Sequence, residues 1–335
     1  MLFPLLQFAA CAAVIIVAGT FLSKYADAIA ELTGLGRLLI GSVLLAGATS
    51  LPELTVDISA VRLGAVDLAV GDLVGSSLMN LLILAMLDLS RHSRGRMLSK
   101  QGAAHALSGS VSAALTCVVA MSLLTGKSLG IHEVLDVGPA VFAVVVAYLF
   151  GVRLVYLNQR IAQRSALEKG VPLHEPLAGM SMGKALAGFA VCAVAILLAG
   201  PFLAEAADEL AEVTGLGGTF VGTTLVAFST SLPELVSSLA AVRLGAHDLA
   251  IGNVFGSNAF NMVLLAPLDA VHAGPLLAAV SASHAITCVA VILATLVAIM
   301  GQLYQSESRT RFIEPDAWLV ILIVLGALAL VYFGI

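Results

Sequence analysis

The chain has 335 residues, of which 60% are hydrophobic and only 11% are charged, and its mean hydropathy is +1.04. A soluble globular protein carries about 25% charged residues, so this composition excludes a water-soluble domain and indicates a polytopic membrane protein. The formal net charge of −5 adds little, because the charges of such a protein are sorted between its loops.

Ten apolar windows predict an all-α membrane protein with ten transmembrane helices. They lie at 3–22, 34–62, 68–88, 101–124, 133–157, 182–204, 215–243, 249–269, 275–300 and 313–334. The predicted organisation is a first five-helix repeat at 1–157 with its core at 34–90, a cytoplasmic linker at 158–181, and a second five-helix repeat at 182–335 with its core at 215–271. The first 22 residues lack a basic segment and match the start of the second half, so we interpret them as a retained helix and not as a cleaved signal.

The two halves are homologous to each other at a constant offset of 181 positions. The stretch SAVRLGAVDLAVGDLVGSSLMN at 59–80 recurs as AAVRLGAHDLAIGNVFGSNAFN at 240–261. Five spans is an odd number, so the second copy must enter the membrane upside down, which gives the inverted repeats typical of secondary transporters. With the N-terminus outside, all lysines and arginines except Arg62 and Lys127 fall on the predicted cytoplasmic side, as the positive-inside rule requires.

The second and the seventh span each carry the pentapeptide TSLPE near their middle, at 49–53 and 230–234. Proline removes a backbone donor and frees carbonyls one turn earlier. Within a bilayer such a break is tolerated only where it lines a cavity or is buried in protein. Both pentapeptides therefore predict a broken helix whose carbonyls, near Ala46–Thr49 and Ala227–Thr230, face a binding site.

Oxygen-bearing side chains accompany both predicted breaks. A set of carboxylate, hydroxyl, amide and carbonyl oxygens suits Ca²⁺ or Na⁺ and does not suit zinc or copper. An intramembrane carboxylate costs about 3 kcal/mol and indicates function, unless a basic residue pairs with it; none lies at the same predicted depth. For the hydroxyl and amide groups the alternative is hydrogen bonding between helices. The candidate ligands are Thr49, Ser50, Glu53, Ser76, Asn80, Thr230, Ser231, Glu234, Ser257 and Asn261.

Inversion is expected to bring the two half-sites together at the membrane midplane. Serine and asparagine four residues apart share one helix face, and small residues allow helices to approach closely. We expect the glycines of the third and the eighth span to provide this approach: Gly71, Gly75, Gly252 and Gly256. The predicted site is one pseudo-symmetric cage centred on Glu53 and Glu234.

At these residues the sequence resembles the sodium/calcium exchanger family of the cation/calcium antiporter superfamily, in its prokaryotic form without a large cytosolic regulatory domain. The family signature, TSLPE followed by GSNxxN, is present as TSLPE–GSSLMN and TSLPE–GSNAFN. The resemblance implies four clustered cation sites and exchange of about three Na⁺ for one Ca²⁺, which would be electrogenic. It implies a central Ca²⁺ held by the two glutamates and the carbonyls of Thr49 and Thr230. The other implied roles are flanking Na⁺ sites at Ala46, Thr49 and Ser76 and at Ala227, Thr230 and Ser257, a passage lined by Ser50 and Ser231, and a centre completed by Asn80 and Asn261.

Several positions depart from the family pattern. Asn261 stands where the potassium-dependent branch has aspartate, so potassium dependence is not expected. Asp72 replaces the asparagine found at the equivalent Asn253. Asp57, four residues after Glu53, is either an entry site that lines the cavity or a polar residue that faces neighbouring helices.

The expected function is a secondary antiporter that exchanges Na⁺ for Ca²⁺ by alternating access, with spans one and six moving past the other helices as the resemblance suggests. The alternatives are exchange of protons for Ca²⁺ or another divalent cation, and a channel or cation sensor on the same scaffold. An enzyme is least favoured, because an HExxH motif is absent and the two glutamates are better explained as cation ligands. His105 and His284 either relay protons or cap helices near an interface. We expect a prokaryotic inner-membrane protein with both termini outside and a cytoplasmic linker, no cofactor besides the transported ions, no nucleic acid and no obligate protein partner.

Overall fold

The computed structural model describes residues 2–90, 102–125, 138–168, 180–213, 228–303 and 315–333. These residues form helices and short connections, without a strand among them. The helices are α1 (Leu2–Thr33), α2 (Arg37–Thr49), α3 (Leu51–Arg62), α4 (Val66–Ser90), α5 (Gly102–Thr125), α6 (Pro139–Glu168), α7 (Met182–Val213), α8 (Leu232–Arg243), α9 (His247–Val271), α10 (His284–Leu303) and α11 (Pro315–Phe333). The predicted all-α membrane architecture is confirmed.

Seven of the described helices are long and apolar enough to cross a membrane, and α2 with α3 adds an eighth, bent span. The helix α11 is apolar but shorter, and the first part of the predicted seventh span lies in residues 214–227, outside the described part. Four predicted boundaries differ from the structure, and one of them is the end of α7, which continues past the predicted residue 204 to Val213. The helix α1 continues to Thr33, α6 continues to Glu168, and the segment expected to begin a span at 275 forms the single turn Leu276–Ala279 before α10 starts at His284.

The predicted break in the second span lies at Ser50, two residues before the proline. Here the backbone leaves the helical region, with φ −88° and ψ 6°, and α2 and α3 meet at an angle of 43°. Ser231 has the same conformation before α8, with φ −81° and ψ 1°. In both repeats the proline follows within the first turn of the new helix, where its missing N–H would have had no intrahelical acceptor.

The turn after each broken helix is closed by a glycine in the left-handed region. Gly64 has φ +80° and Gly245 has φ +78°. In the first repeat, Ala65 N donates to Ala60 O at 2.9 Å and Gly64 N donates to Val61 O at 3.0 Å, and the second repeat has the same pair of bonds. This is a Schellman motif, and it fixes how α3 leads into α4 and α8 into α9.

The backbones of α2 and α9 lie in direct contact. A Cβ atom added to Gly252 would lie 2.5 Å from Leu38 O, and one added to Gly256 would lie 2.4 Å from Ser42 Cα. The stretch Ile40–Leu45 of α2 is a π-helix, and Gly41 meets α9 equally closely. The close approach predicted for these two glycines of the eighth span is confirmed, whereas the helix that the glycines of the third span were predicted to approach lies largely in residues 214–227.

The helix α9 is the centre of the fold, and it packs against α2, α3, α4, α5, α6 and α8. The helices α1 and α7 pack against each other, while α1 also contacts α8 and α7 also contacts α3. Large apolar side chains are exposed on the outer helices, among them Phe21, Leu149, Leu198 and Leu322. An apolar outer surface around a core with buried polar groups is the arrangement that a lipid environment requires.

Two histidine–aspartate pairs join helices in equivalent places of the two repeats. His105 Nε2 lies 2.9 Å from Asp248 Oδ1, and His284 Nε2 lies 3.0 Å from Asp67 Oδ1. The two aspartates are in the first turns of α9 and α4, and they are related by the offset of 181. Both histidines thus connect α5 and α10 to the central helices, away from the two glutamates.

Candidate cation-binding site

The two glutamates of the TSLPE motifs are buried in the first turns of α3 and α8. Glu53 is 1% exposed and Glu234 is 0% exposed, and the two carboxylates are close enough to repel each other electrostatically. The backbone amide of each glutamate donates to its own carboxylate. None of the ion pairs among the described residues involves either glutamate, so two acidic groups lie together in the core without a basic partner.

The two broken helices are linked directly across the site. Ser50 Oγ, at the first break, donates to Glu234 Oε1 of the other repeat at 3.2 Å. The Thr49 hydroxyl also contacts the Glu234 carboxylate, and its oxygen lies 3.4 Å from Asn253 Oδ1. These contacts, between residues 184 and 204 positions apart, join the two halves of the chain at this point.

Many buried oxygen atoms at the site have no hydrogen-bond partner among the described residues. Buried polar atoms in proteins are nearly always paired, and leaving one unpaired costs about 1–3 kcal/mol. These atoms are Oε2 of Glu53 and Glu234, Oγ of Ser76, Ser231 and Ser257, Oδ1 of Asn80 and Asn261, and Oδ2 of Asp57 and Asp72. All are oxygens, and all but Asp57, a possible entry site, and Asp72 belong to the predicted ligands, so the arrangement suits a hard cation.

The two predicted asparagines present their amide oxygens because their amide nitrogens are engaged elsewhere. Asn80 Nδ2 donates to Asn258 Oδ1 at 3.0 Å, and Asn261 Nδ2 lies 3.4 Å from Leu73 O. Asn258 in turn donates to Ser77 O at 3.1 Å. Hydrogen bonds donated by side-chain amides thus join α4 and α9. The Oδ1 atoms of Asn80 and Asn261 take no part in these hydrogen bonds.

One pseudo-symmetric pair of contacts was not anticipated from the sequence. Thr49 approaches Asn253, and its counterpart Thr230 donates to the Asp72 carboxylate. Asn253 Nδ2 also donates to Ser238 Oγ at 2.9 Å. The sequence contained a usable signal, because Asp72 and Asn253 lie four residues before the serines of α4 and α9 and therefore on the same helix faces.

The remaining predicted residues complete the description. Ala46 is buried at the break, and Asp57 is buried one turn after Glu53 in α3. Ala227 lies outside the described residues. Among the residues that the structure describes, no group of three or more His, Cys, Asp or Glu side chains is arranged around a metal position. A bound cation would therefore need hydroxyl, amide and backbone oxygens in addition to the two glutamates.

The model of the family described as sodium/calcium exchanger protein matches residues 3–104 and 184–333. The chain belongs to the sodium/calcium exchanger family. Its relatives include the inner membrane protein YrbG of Escherichia coli, 29% identical over 248 residues that cover 71% of this chain and 70% of YrbG. They also include the sodium/calcium exchanger MaX1 of Methanosarcina acetivorans, 28% identical over 274 residues that cover 73% of this chain and 76% of MaX1.

The fold of this exchanger is also that of a solved structure. The sodium-calcium exchanger NCX_Mj, soaked with 100 mM Na⁺ and 10 mM Sr²⁺, matches with a TM-score of 0.70 at 18% identity, over 99% of this chain and 98% of that chain. The family consists of transporters. The chain is thus an integral membrane protein of prokaryotic type and a cation/Ca²⁺ antiporter.

Proposed function

We propose that the protein exchanges Na⁺ for Ca²⁺ at a single cage between the two broken helices. The observation that carries the proposal is the cluster of buried, unpartnered oxygen atoms around Glu53 and Glu234. Two carboxylates neutralise one Ca²⁺, and the same oxygens suit Na⁺. Family membership adds support, since the relative MaX1 is named a sodium/calcium exchanger.

Within this cage each predicted residue has a distinct part. Glu53 and Glu234 bind Ca²⁺ together with the carbonyls of Thr49 and Thr230. Serine hydroxyls and alanine carbonyls at the ends of the cage hold Na⁺, and the asparagine oxygens complete its centre. The end groups are Ala46, Ser76, Ala227 and Ser257, the passage residues are Ser50 and Ser231, and the central amides are Asn80 and Asn261.

Exchange follows from the electrostatics of an empty cage. Two buried carboxylates without a cation are strongly unfavourable, so the protein cannot close around the cage unless a cation occupies it. Access therefore alternates only in the loaded protein, and one ion species leaves when the other replaces it. The helices α1 and α7, which lie at the edge of the fold and pack on α8 and α3, are the elements that we propose move.

The test is uptake of ⁴⁵Ca²⁺ into proteoliposomes that contain Na⁺ or choline at one fixed pH. We expect uptake to require internal Na⁺ in the wild type and to be abolished by Glu53→Gln, which keeps the size of the side chain and removes its charge. Thr55→Ser, on the same helix away from the cage, is the control and retains uptake. Uptake that ignores Na⁺ and follows an imposed pH gradient would replace Na⁺ by H⁺ as the coupling ion.

A further inference from the structure

Two aspartates lie next to the cage, on one side only. Asp57 is one turn beyond Glu53 in α3, and Asp72 is one turn before Ser76 in α4. The turn at Gly64 joins these helices, and both aspartates are seven or eight residues from it, which places each about 10–12 Å along its helix from the turn. They therefore occupy a common level, between the cage and the turn at Gly64.

The two buried carboxylates are close enough to interact electrostatically, and one oxygen of each lacks a hydrogen-bond partner among the described residues. Asp57 is 1% exposed, and it interacts electrostatically with Asp72. Oδ2 of each aspartate and Oγ of Ser76 have no partner among the described residues. Thr230, from the opposite repeat, donates to the Asp72 carboxylate and holds it in place. Three buried oxygens on neighbouring turns of α3 and α4 thus have no protein group that satisfies them among the described residues.

The second repeat shows what these positions look like when no ligand is needed. The counterparts of Asp57 and Asp72 are Ser238 and Asn253, which are neutral. Asn253 Nδ2 donates to Ser238 Oγ at 2.9 Å and to Ser237 Oγ at 3.1 Å. The same backbone arrangement is hence fully satisfied by side chains in one repeat, and is charged and unsatisfied in the other.

Buried carboxylates that have no basic partner among the described residues need a counter-charge. The described ion pairs of the protein include neither aspartate. We propose that Asp57 and Asp72 bind an additional divalent metal cation one helical turn from the cage and its end residue Ser76. Two carboxylates balance its charge, and water completes the six to eight oxygen ligands that an ion of the Ca²⁺ class requires.

The additional site makes the two entrances of the transporter unequal. This role rests on the proposed function, because a cation bound at the additional site would next enter the cage one helical turn away. The distribution of basic residues predicts that the Gly64 turn lies on the outer side of the membrane. The additional cation is therefore expected to bind from the outer side, whereas the inner entrance has only the neutral serine–asparagine pair.

The experiment measures equilibrium binding of ⁴⁵Ca²⁺ to the purified full-length protein in lipid nanodiscs. The variants are Asp57→Ser with Asp72→Asn, which installs the residues of the second repeat, and Glu53→Gln with Glu234→Gln, which neutralises the cage. We expect two bound Ca²⁺ per chain in the wild type, one in each double variant and none in the quadruple variant. Ser238→Ala is the matched control in the second repeat and leaves two.

Each outcome supports or overturns the site. If the aspartate variant binds as many Ca²⁺ ions as the wild type with unchanged affinity, the aspartates hold no divalent cation, and a shared proton or interhelical bonding explains them. If the glutamate variant melts well below the wild type, the number of Ca²⁺ ions bound by the wild type and by the aspartate variant still decides whether the additional site exists. If the aspartate variant binds one Ca²⁺ fewer but the wild type shows no Na⁺-dependent uptake, the additional site stands and the proposed exchange is refuted. If the wild type shows Na⁺-dependent uptake but the aspartate variant binds as many Ca²⁺ ions as the wild type, the exchange stands and the additional site is refuted.

Discussion

The contact between α2 and α9 predicts that Gly256→Ala weakens Ca²⁺ binding more than it weakens the fold. The new Cβ would lie 2.4 Å from Ser42 Cα and 2.5 Å from Ser42 O, whereas ordinary contact begins at 3.4 Å. The difference, 3.4 − 2.4, is 1.0 Å. Because the opposing atoms are backbone atoms, they cannot rotate away, and the two helices must separate by about that distance.

A separation of about 1 Å is large for a cation site, where ligand distances are held within about 0.2 Å. Gly256 directly precedes Ser257, so the displaced segment carries a proposed ligand. Overpacking of this kind costs about 2 kcal/mol. Since the ion must restore the original spacing in order to bind, we expect a roughly thirtyfold higher Ca²⁺ concentration for half-maximal uptake.

The assay is the Ca²⁺ dependence of ⁴⁵Ca²⁺ uptake into proteoliposomes, with the melting temperature measured on the same preparation. Gly47→Ala is the control, because it adds a methyl group to the same broken helix at an ordinary 3.6 Å from Phe260 Cζ, and it should leave uptake unchanged. A Gly256→Ala protein with wild-type Ca²⁺ dependence would refute the reasoning that the contact of the two backbones sets the spacing of the cage.

Three other side chains give separate predictions. Ser50→Ala removes the donor to Glu234; since hydrogen bonds to charged groups contribute about 1.5–3 kcal/mol, uptake should need at least roughly tenfold more Ca²⁺, and an unchanged Ca²⁺ dependence would contradict the role of this bond. Asp27→Asn breaks the ion pair with Arg37 that joins α1 to α2. We expect the free energy of unfolding to fall by up to about 3 kcal/mol, measured as a lower melting temperature by light scattering or fluorescence. An unchanged melting temperature would show that the ion pair is dispensable. His105→Ala removes a buried partner of the first turn of α9, so it should lower the melting temperature while Na⁺-dependent uptake per folded protein is retained, and selective loss of uptake would favour a proton relay instead.

The broken helices and the ligand types follow from the sequence because local chemistry decides them. Proline cannot continue the hydrogen bonds of a helix, so the TSLPE motifs predicted the breaks at Ser50 and Ser231. Gly64 and Gly245 were not predicted as turn positions, but they have an equally local cause, because the left-handed conformation favours glycine. The duplication predicted the pairing of the halves, and the contact of Ser50 with Glu234 agrees with it.

Tertiary structure alone decided which polar groups are satisfied. Asp72 and Asn253 occupy equivalent positions, and in the sequence they look like a conservative replacement of one polar residue by another. Only packing shows that Asn253 donates a hydrogen bond to Ser238, while one carboxylate oxygen of Asp72 is buried without a partner among the described residues. Sequence defines which atoms a helix face carries, but whether a buried oxygen finds a donor depends on how the neighbouring helices pack.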